Sequence, residues 1–306
     1  MAAENQVAGV NVLGEEVKEK SPASAATAAA AKLGFVIRRA PEAAQWLKFG
    51  LYGEAGVGKT TLASTAQDVP GMQNVIYIDA EGGSMSLRFR NDIDVVRITA
   101  FNQLARIHEW LRLHCQARDE GNLERLRKLE ALATGVTPEQ PKIYKTVVLD
   151  SLTEIQKYCM YQLLGIEVGK QPLDVEPEKP QWDEWNTSHE MVRLLVRSFR
   201  DLPMHVIVVI QEALIQDQTR RLHRRPNLPG KLANEILGFM DAVGYLVAAS
   251  PGEDEGGDPS TLLRRLYLRP GKTFQAKNRF VVFKEGYIDN PTMAKVVEAA
   301  QLKLNQ

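Results

Sequence analysis

The sequence predicts an α/β fold: a mostly parallel central sheet with helices on both faces. Three observations predict it. Short apolar runs of strand length alternate with longer segments whose apolar residues recur at helical spacing. Two runs, at 147–149 and 206–210, are continuously apolar, as strands covered on both faces are. A glycine-rich turn at 53–60 stands between the first run and the helical segment after it.

The elements follow in order. Residues 1–32 are alanine-rich and lack aromatics, so they have little to bury. They are expected to form a flexible tail, with 23–31 transiently helical or docked as a short helix on a neighbouring subunit. Residues 33–306 are then one domain. Strands are expected at 47–52, 74–79, 95–99, 146–150 and 205–211, with two more at 241–248 and 262–268 near the end of the sheet. Helices are expected at 60–67, 152–164 and 291–304. Another, at 101–117, places Leu104, Ile107, Leu111 and Cys115 on one face. The segment 118–142 is charged, partly helical and reads as an insertion. A long helix, 182–202, carries Trp182, Trp185, Val192, Leu195 and Phe199 at helical spacing and is expected to bury them.

The 306 residues carry 38 Lys and Arg against 38 Asp and Glu, with 44% apolar and 25% charged residues. These fractions exclude wholesale disorder and a fibrous repeat. A zero sum excludes a protein that is basic throughout, but not a local basic patch. Cys115 and Cys159 lack metal-ligand spacing and read as core residues in a reducing compartment. No apolar run approaches the roughly 20 residues of a membrane span. The expected location is intracellular and cytoplasmic.

Gly53-Glu54-Ala55-Gly56-Val57-Gly58-Lys59-Thr60 fits the phosphate-binding pattern G-x-x-x-x-G-K-[ST], with Thr61 following. Strand before and helix after are the required context. The glycines let successive N–H groups face phosphate oxygens, and the helix adds the positive end of its dipole. Lys59 would reach the β- and γ-phosphates of ATP, and the Thr60 hydroxyl would ligate Mg²⁺. Asp150 ends an apolar strand, where open sheets bind ligands, and is the candidate carboxylate that would hold the magnesium through water. Its other reading is a helix N-cap, which Ser151 could also supply. Many such ATPases carry a glutamate next to this aspartate; here that residue is Ser151. Glu81, just past the strand ending at Asp79, is the candidate base instead.

Four segments resemble the RecA/RadA recombinase superfamily, and more closely its phage-encoded RecA-like ATPases, which include single-strand-annealing recombinases. They are the phosphate loop, Ile78-Asp-Ala-Glu-Gly82, Val147-Val-Leu-Asp-Ser151 and Ala276-Lys-Asn-Arg-Phe280. Leu228-Pro-Gly-Lys-Leu232, with the helix after it, also looks like the phage subfamily. The resemblance implies a RecA-like ATPase core that assembles head to tail, as filament or ring, with ATP between subunits. It implies that Glu81 is the catalytic glutamate. It also implies that Lys277 and Arg279 reach ATP on the adjacent subunit and that Gln211 senses the γ-phosphate. The implied partners are single-stranded DNA, further copies of the chain and a single-strand-binding protein, with the host cytoplasm as location if the chain is phage-encoded.

One segment points to nucleic acid without analogy. Between Asp217 and Glu235 there is no acid, while Arg220, Arg221, Arg224, Arg225 and Lys231 are cations, with His223 among them. Read as a loop, it would bind phosphates, with arginine planes stacking on bases. The loop at 165–181 mixes Lys170 and Lys179 with Glu167, Asp174, Glu176 and Glu178 and is given no DNA contacts. Neither loop holds a stacking aromatic. The leading reading is a DNA-stimulated ATPase acting in recombination. A helicase loader, packaging motor or partner remodeller, whose basic segment contacts protein, stays open, as does a small-molecule kinase.

Overall fold

The computed structural model describes residues 37, 46–170, 176, 178–216, 220–249, 263–280, 286–302 and 304. The expected tail at 1–32 lies outside the described residues. Gln45–Gln306 form one compact unit.

Among the described residues ten strands make one sheet: β1 (Lys48–Gly53), β2 (Val75–Asp79), β3 (Asp94–Arg97), β4 (Thr146–Asp150), β5 (His205–Gln216), β6 (Leu222–Pro226), β7 (Ala242–Ala249), β8 (Leu263–Tyr267), β9 (Lys277–Asn278) and β10 (Tyr287–Asp289). Their order is β10-β8-β7-β1-β5-β4-β2-β3, with β6 paired to β5 and β9 to β7. From β7 to β3 the strands are parallel; β6, β8, β9 and β10 are antiparallel additions.

The central strands are buried along their length, and each sends alternate side chains to opposite faces. Val147, Leu149, Val206 and Val208 enter one core, with Tyr52 and Phe199. Phe49, Leu51, Val148, Ile207 and Val209 enter the other, with Met293. Two buried faces explain why these strands read as continuous apolar runs.

Among the described residues the α-helices are α1 (Lys59–Ser64), α2 (Gln103–Asp119), α3 (Leu123–Thr134), α4 (Leu152–Leu163), α5 (Trp182–Arg200), α6 (Leu232–Phe239) and α7 (Met293–Ala299). The helix expected at 60–67 is α1 followed by a 3₁₀ turn, Thr65–Asp68. The supposed insertion is ordered. Asn122 caps α3, and Leu126 and Leu129 pack with Ala117 of α2. Among the described residues no helix is long and apolar enough to cross a membrane. Cys115 and Cys159 are buried and free, as expected.

Three expectations are corrected. First, the strand at 205–211 runs on to Gln216 and folds back as β6, so part of the supposed basic loop is a hairpin. Apolar length does not set where a strand ends when a hairpin partner extends it. Second, Trp182 is 77% exposed. Val192, Val196 and Phe199 carry α5 into the core, but its first turn stands outside it. Third, the closing helix stops at Ala299.

One buried group sets a pH response. The His205 ring, at the start of β5, accepts a hydrogen bond from the Leu47 N–H at 3.0 Å through Nδ1. Burial first, then the nearby Lys48 charge, pushes its pKa down from 6.5 to about 3. The folded ring stays neutral where the unfolded one takes a proton. Its contribution to stability is therefore full above about pH 6.5 and is lost as pH falls toward 3. Thermal midpoints across this window should fall less steeply for His205→Asn, whose carbonyl oxygen can replace Nδ1. Equal slopes in both proteins would overturn this assignment.

Candidate nucleotide site and basic hairpin

Register builds the site. Gly53 of β1 lies opposite Gln211 of β5, and Asp79 of β2 opposite Asp150 of β4. The carboxyl ends of four neighbouring parallel strands thus meet on one edge, the ligand edge of an open α/β sheet.

The phosphate loop leaves β1 at Gly53, where a Cβ would sit 2.2 Å from the Leu246 carbonyl oxygen. Gly58 caps α1 with φ 101°, in the left-handed region that only glycine enters readily. Lys59 is buried, and its Nζ donates to the carbonyls of Gly53 at 2.9 Å and Glu54 at 2.7 Å. Burial lowers its pKa, opposed by the charges of Glu81 and Asp150.

Thr60 Oγ1 donates to Asp150 Oδ2 at 2.7 Å, and the Tyr77 hydroxyl donates to the same oxygen. Burial raises the Asp150 pKa, and these two hydroxyls oppose the rise. Ser151 is the residue that caps α4, accepting from the Glu154 N–H. That leaves Asp150 for the site. A hydroxyl and a carboxylate in contact are oxygen donors suited to Mg²⁺ alongside phosphate oxygens. Among the described residues no cluster of three or more His, Cys, Asp or Glu makes a metal site.

Glu81 follows β2 in a turn that Asp79 organises by accepting from the N–H groups of Gly82, Gly83 and Ser84. Arg97 braces Asp79 at 3.1 Å. The Ser151 hydroxyl and the Gln211 amide both donate to Glu81 Oε1, the amide at 2.7 Å. Base candidate and sensor candidate are therefore in direct contact.

Arg264 of β8 was not singled out from sequence. Its Nε donates to the Val57 carbonyl at 3.0 Å, placing a guanidinium on the phosphate loop. No linear pattern marks it, because only the antiparallel pairing of β8 with β7 brings it there.

Lys277 and Arg279 converge elsewhere. Lys277 Nζ donates to the carbonyls of Leu237, Gly238 and Met240, and Arg279 to that of Gly238, at the end of α6. Lys277 pairs with Val243 of β7, whose neighbour Ala242 lies opposite Phe49 near the start of β1. Both cations thus lie at the sheet end opposite the phosphate loop of their own chain.

The five predicted DNA-binding cations are split. Arg220 and Arg221 are exposed at the turn end of the hairpin, and Lys231 is exposed where α6 begins. Arg224 and Arg225 lie on β6. Arg224 Nε meets the buried Glu212 carboxylate at 3.2 Å, so the expectation of unopposed charge is corrected. The opposing acid comes from the other hairpin strand, outside the window free of acids. In the loop at 165–181, Lys170 pairs with Glu167 at 2.5 Å and Lys179 with Glu176 at 3.9 Å.

The AAA_24 family, described as an AAA domain, matches residues 46–280. No curated protein matches. Similar solved structures include flagellar accessory protein FlaH from Methanocaldococcus jannaschii, at 10% identity over 79% of this chain and 88% of that one, TM-score 0.31. The RadB recombinase is 15% identical over 78% and 88%, TM-score 0.33. A DnaB-like replicative helicase is 12% identical over 77% of this chain and 53% of that one, TM-score 0.39. Likeness at this level assigns no function.

Asp150→Asn keeps an oxygen acceptor for Thr60 and Tyr77 and removes a buried charge. Its thermal midpoint without ligand should equal or exceed that of the parent, while the extra stabilisation that Mg²⁺ adds to ATP should vanish. A variant as responsive to Mg²⁺ as the parent would remove Asp150 from the metal site.

Proposed function

The chain belongs to the AAA_24 family, described as an AAA domain; from that premise we propose that it is a RecA-like P-loop ATPase that binds single-stranded DNA and assembles head to tail, with ATP held between subunits. It would act in phage-type homologous recombination, by annealing or strand exchange, with a single-strand-binding protein as a further partner.

The loop N–H groups and Lys59 hold the phosphates. Thr60 and Asp150 hold Mg²⁺, which when bound neutralises phosphate charge. Glu81 orients water at the γ-phosphorus and accepts its proton as the bond to ADP breaks. Arg264 adds a cation from within the chain. Lys277 and Arg279 of the neighbour stabilise the charge that develops in transfer.

The observation that carries this reading is the separation of the two halves of the site. The loop, Asp150, Glu81 and Gln211 lie at one sheet end; Lys277 and Arg279 lie at the other. A head-to-tail contact brings opposite ends together. The DNA half rests on β5, which carries Gln211 and runs on into the hairpin bearing Arg220 and Arg221. The Glu212–Arg224 pair favours a second reading, a partner remodeller whose hairpin contacts protein, because it removes one cation from phosphate binding.

Glu81→Gln should retain ATP but slow steady-state hydrolysis by roughly 100-fold or more, on the order of a lost general base. An unchanged rate would sink the base assignment. Lys277→Ala and Lys59→Ala subunits, each inactive alone, should recover ATPase activity when mixed. No recovery at any ratio would refute shared sites. Single-stranded DNA should raise the ATPase rate, and its binding should weaken steeply with salt. Neither stimulation nor binding would favour the remodeller.

A further inference from the structure

Trp182 and Trp185 line a groove of about 690 Å³ between the start of α5 and the segment 229–235. An indole 77% exposed at a helix start is costly surface unless something covers it. Trp185, one turn on, shares its face and is half-buried. The Trp185 and His189 rings lie 6.2 Å apart at 54°.

The walls carry polar groups of three kinds. His189 Nε2 is buried with no hydrogen-bond partner, a group left to be satisfied. Gly230, at φ 56°, lets the backbone close on this ring: a Cβ there would stand 3.3 Å from His189 Cε1. Lys231 supplies an exposed cation at the rim. Arg193 adds no free charge, because Glu190 and Glu235 both engage it, Glu235 at 2.6 Å.

We propose that this groove takes an unpaired base of single-stranded nucleic acid, stacked on an indole, edge toward His189 and flanking phosphate on Lys231. The proposal rests on the DNA-binding reading above and supplies the stacking aromatics that both loops lack. A nucleotide is matched by an aromatic plane, a hydrogen-bonding edge and a cation, and the groove offers all three. The chain from β6 to Lys231 is short and tied to the site: the Asn227 N–H donates to the Gln211 carbonyl at 2.8 Å. The groove therefore adjoins the base of the hairpin, with Arg220 and Arg221 at the other end of its two strands.

The test compares oligo-dT with a base-free deoxyribose-phosphate oligomer of equal length, both titrated onto the full chain with ATP. The parent should bind oligo-dT more tightly, with quenched tryptophan fluorescence. Trp182→Ala, at an exposed position, should weaken oligo-dT binding roughly 10-fold and leave the base-free oligomer and the salt slope unaltered. Trp182→Phe should restore most of the loss. If the parent binds oligo-dT and Trp182→Ala binds it equally well, the stacking site is wrong, DNA binding stands and the groove passes to a protein segment. If the parent binds neither oligomer, the DNA-binding reading falls together with the groove.

Discussion

The site depends on the parallel register of β1, β5, β4 and β2. Gly53 faces Gln211, and Asp150 faces both Val209 and Asp79. Because side chains alternate, a slip of one residue in any of these strands would exchange the side chains it sends to the two cores and mismatch the packing of both. The two cores lock the register, and the locked register delivers the phosphate loop, Asp150, Glu81 and Gln211 to one edge. Asp150 shows the cost of this placement. Its carboxylate is buried at the strand end and is tolerated because Thr60 and Tyr77 hydrogen-bond it.

A contiguous path runs from that edge to the far end of the sheet. Gln211 bonds to Glu81 and immediately precedes the stretch of β5 that pairs with β6. The Arg224 N–H then donates to the Thr273 carbonyl at 2.7 Å, and the Gln275 N–H to the Arg224 carbonyl at 3.3 Å. Two residues on stands Lys277. Glu81 and Lys277 are thus linked within one chain, by one side-chain hydrogen bond at Gln211 and by backbone hydrogen bonds from there on. Such contiguous packing is one physical route for coupling the two ends of a sheet.

The parts legible in the sequence were those set by local chemistry. Short apolar runs of strand length disclosed β1, β2, β4 and β5, the last two continuously apolar. The glycine spacing disclosed the phosphate loop, and strand ends pointed to Asp150 and Glu81. What escaped was set by chain segments distant in sequence. Arg264 reaches the loop only through an antiparallel edge strand. Glu212 meets Arg224 only through a hairpin. Trp182 carries the helical spacing of a buried residue, yet it stands on the first turn of α5, outside the core that the later turns enter.

The neutral total of 38 against 38 takes its meaning from that last class of contact. Arg90, Arg193, Arg224 and Arg265 each meet a carboxylate, so much of the positive charge is balanced close at hand. The exposed cations at the hairpin turn and at Lys231 form a short, discontinuous basic strip. A strip of that kind neutralises few phosphates, so charge alone would give weak binding that fades with salt. Stacking draws on a different free energy, one that salt screens little. On the reading proposed above, a basic hairpin with an aromatic groove at its base would hold a single strand more selectively than a wholly basic surface, which would attract any polyanion.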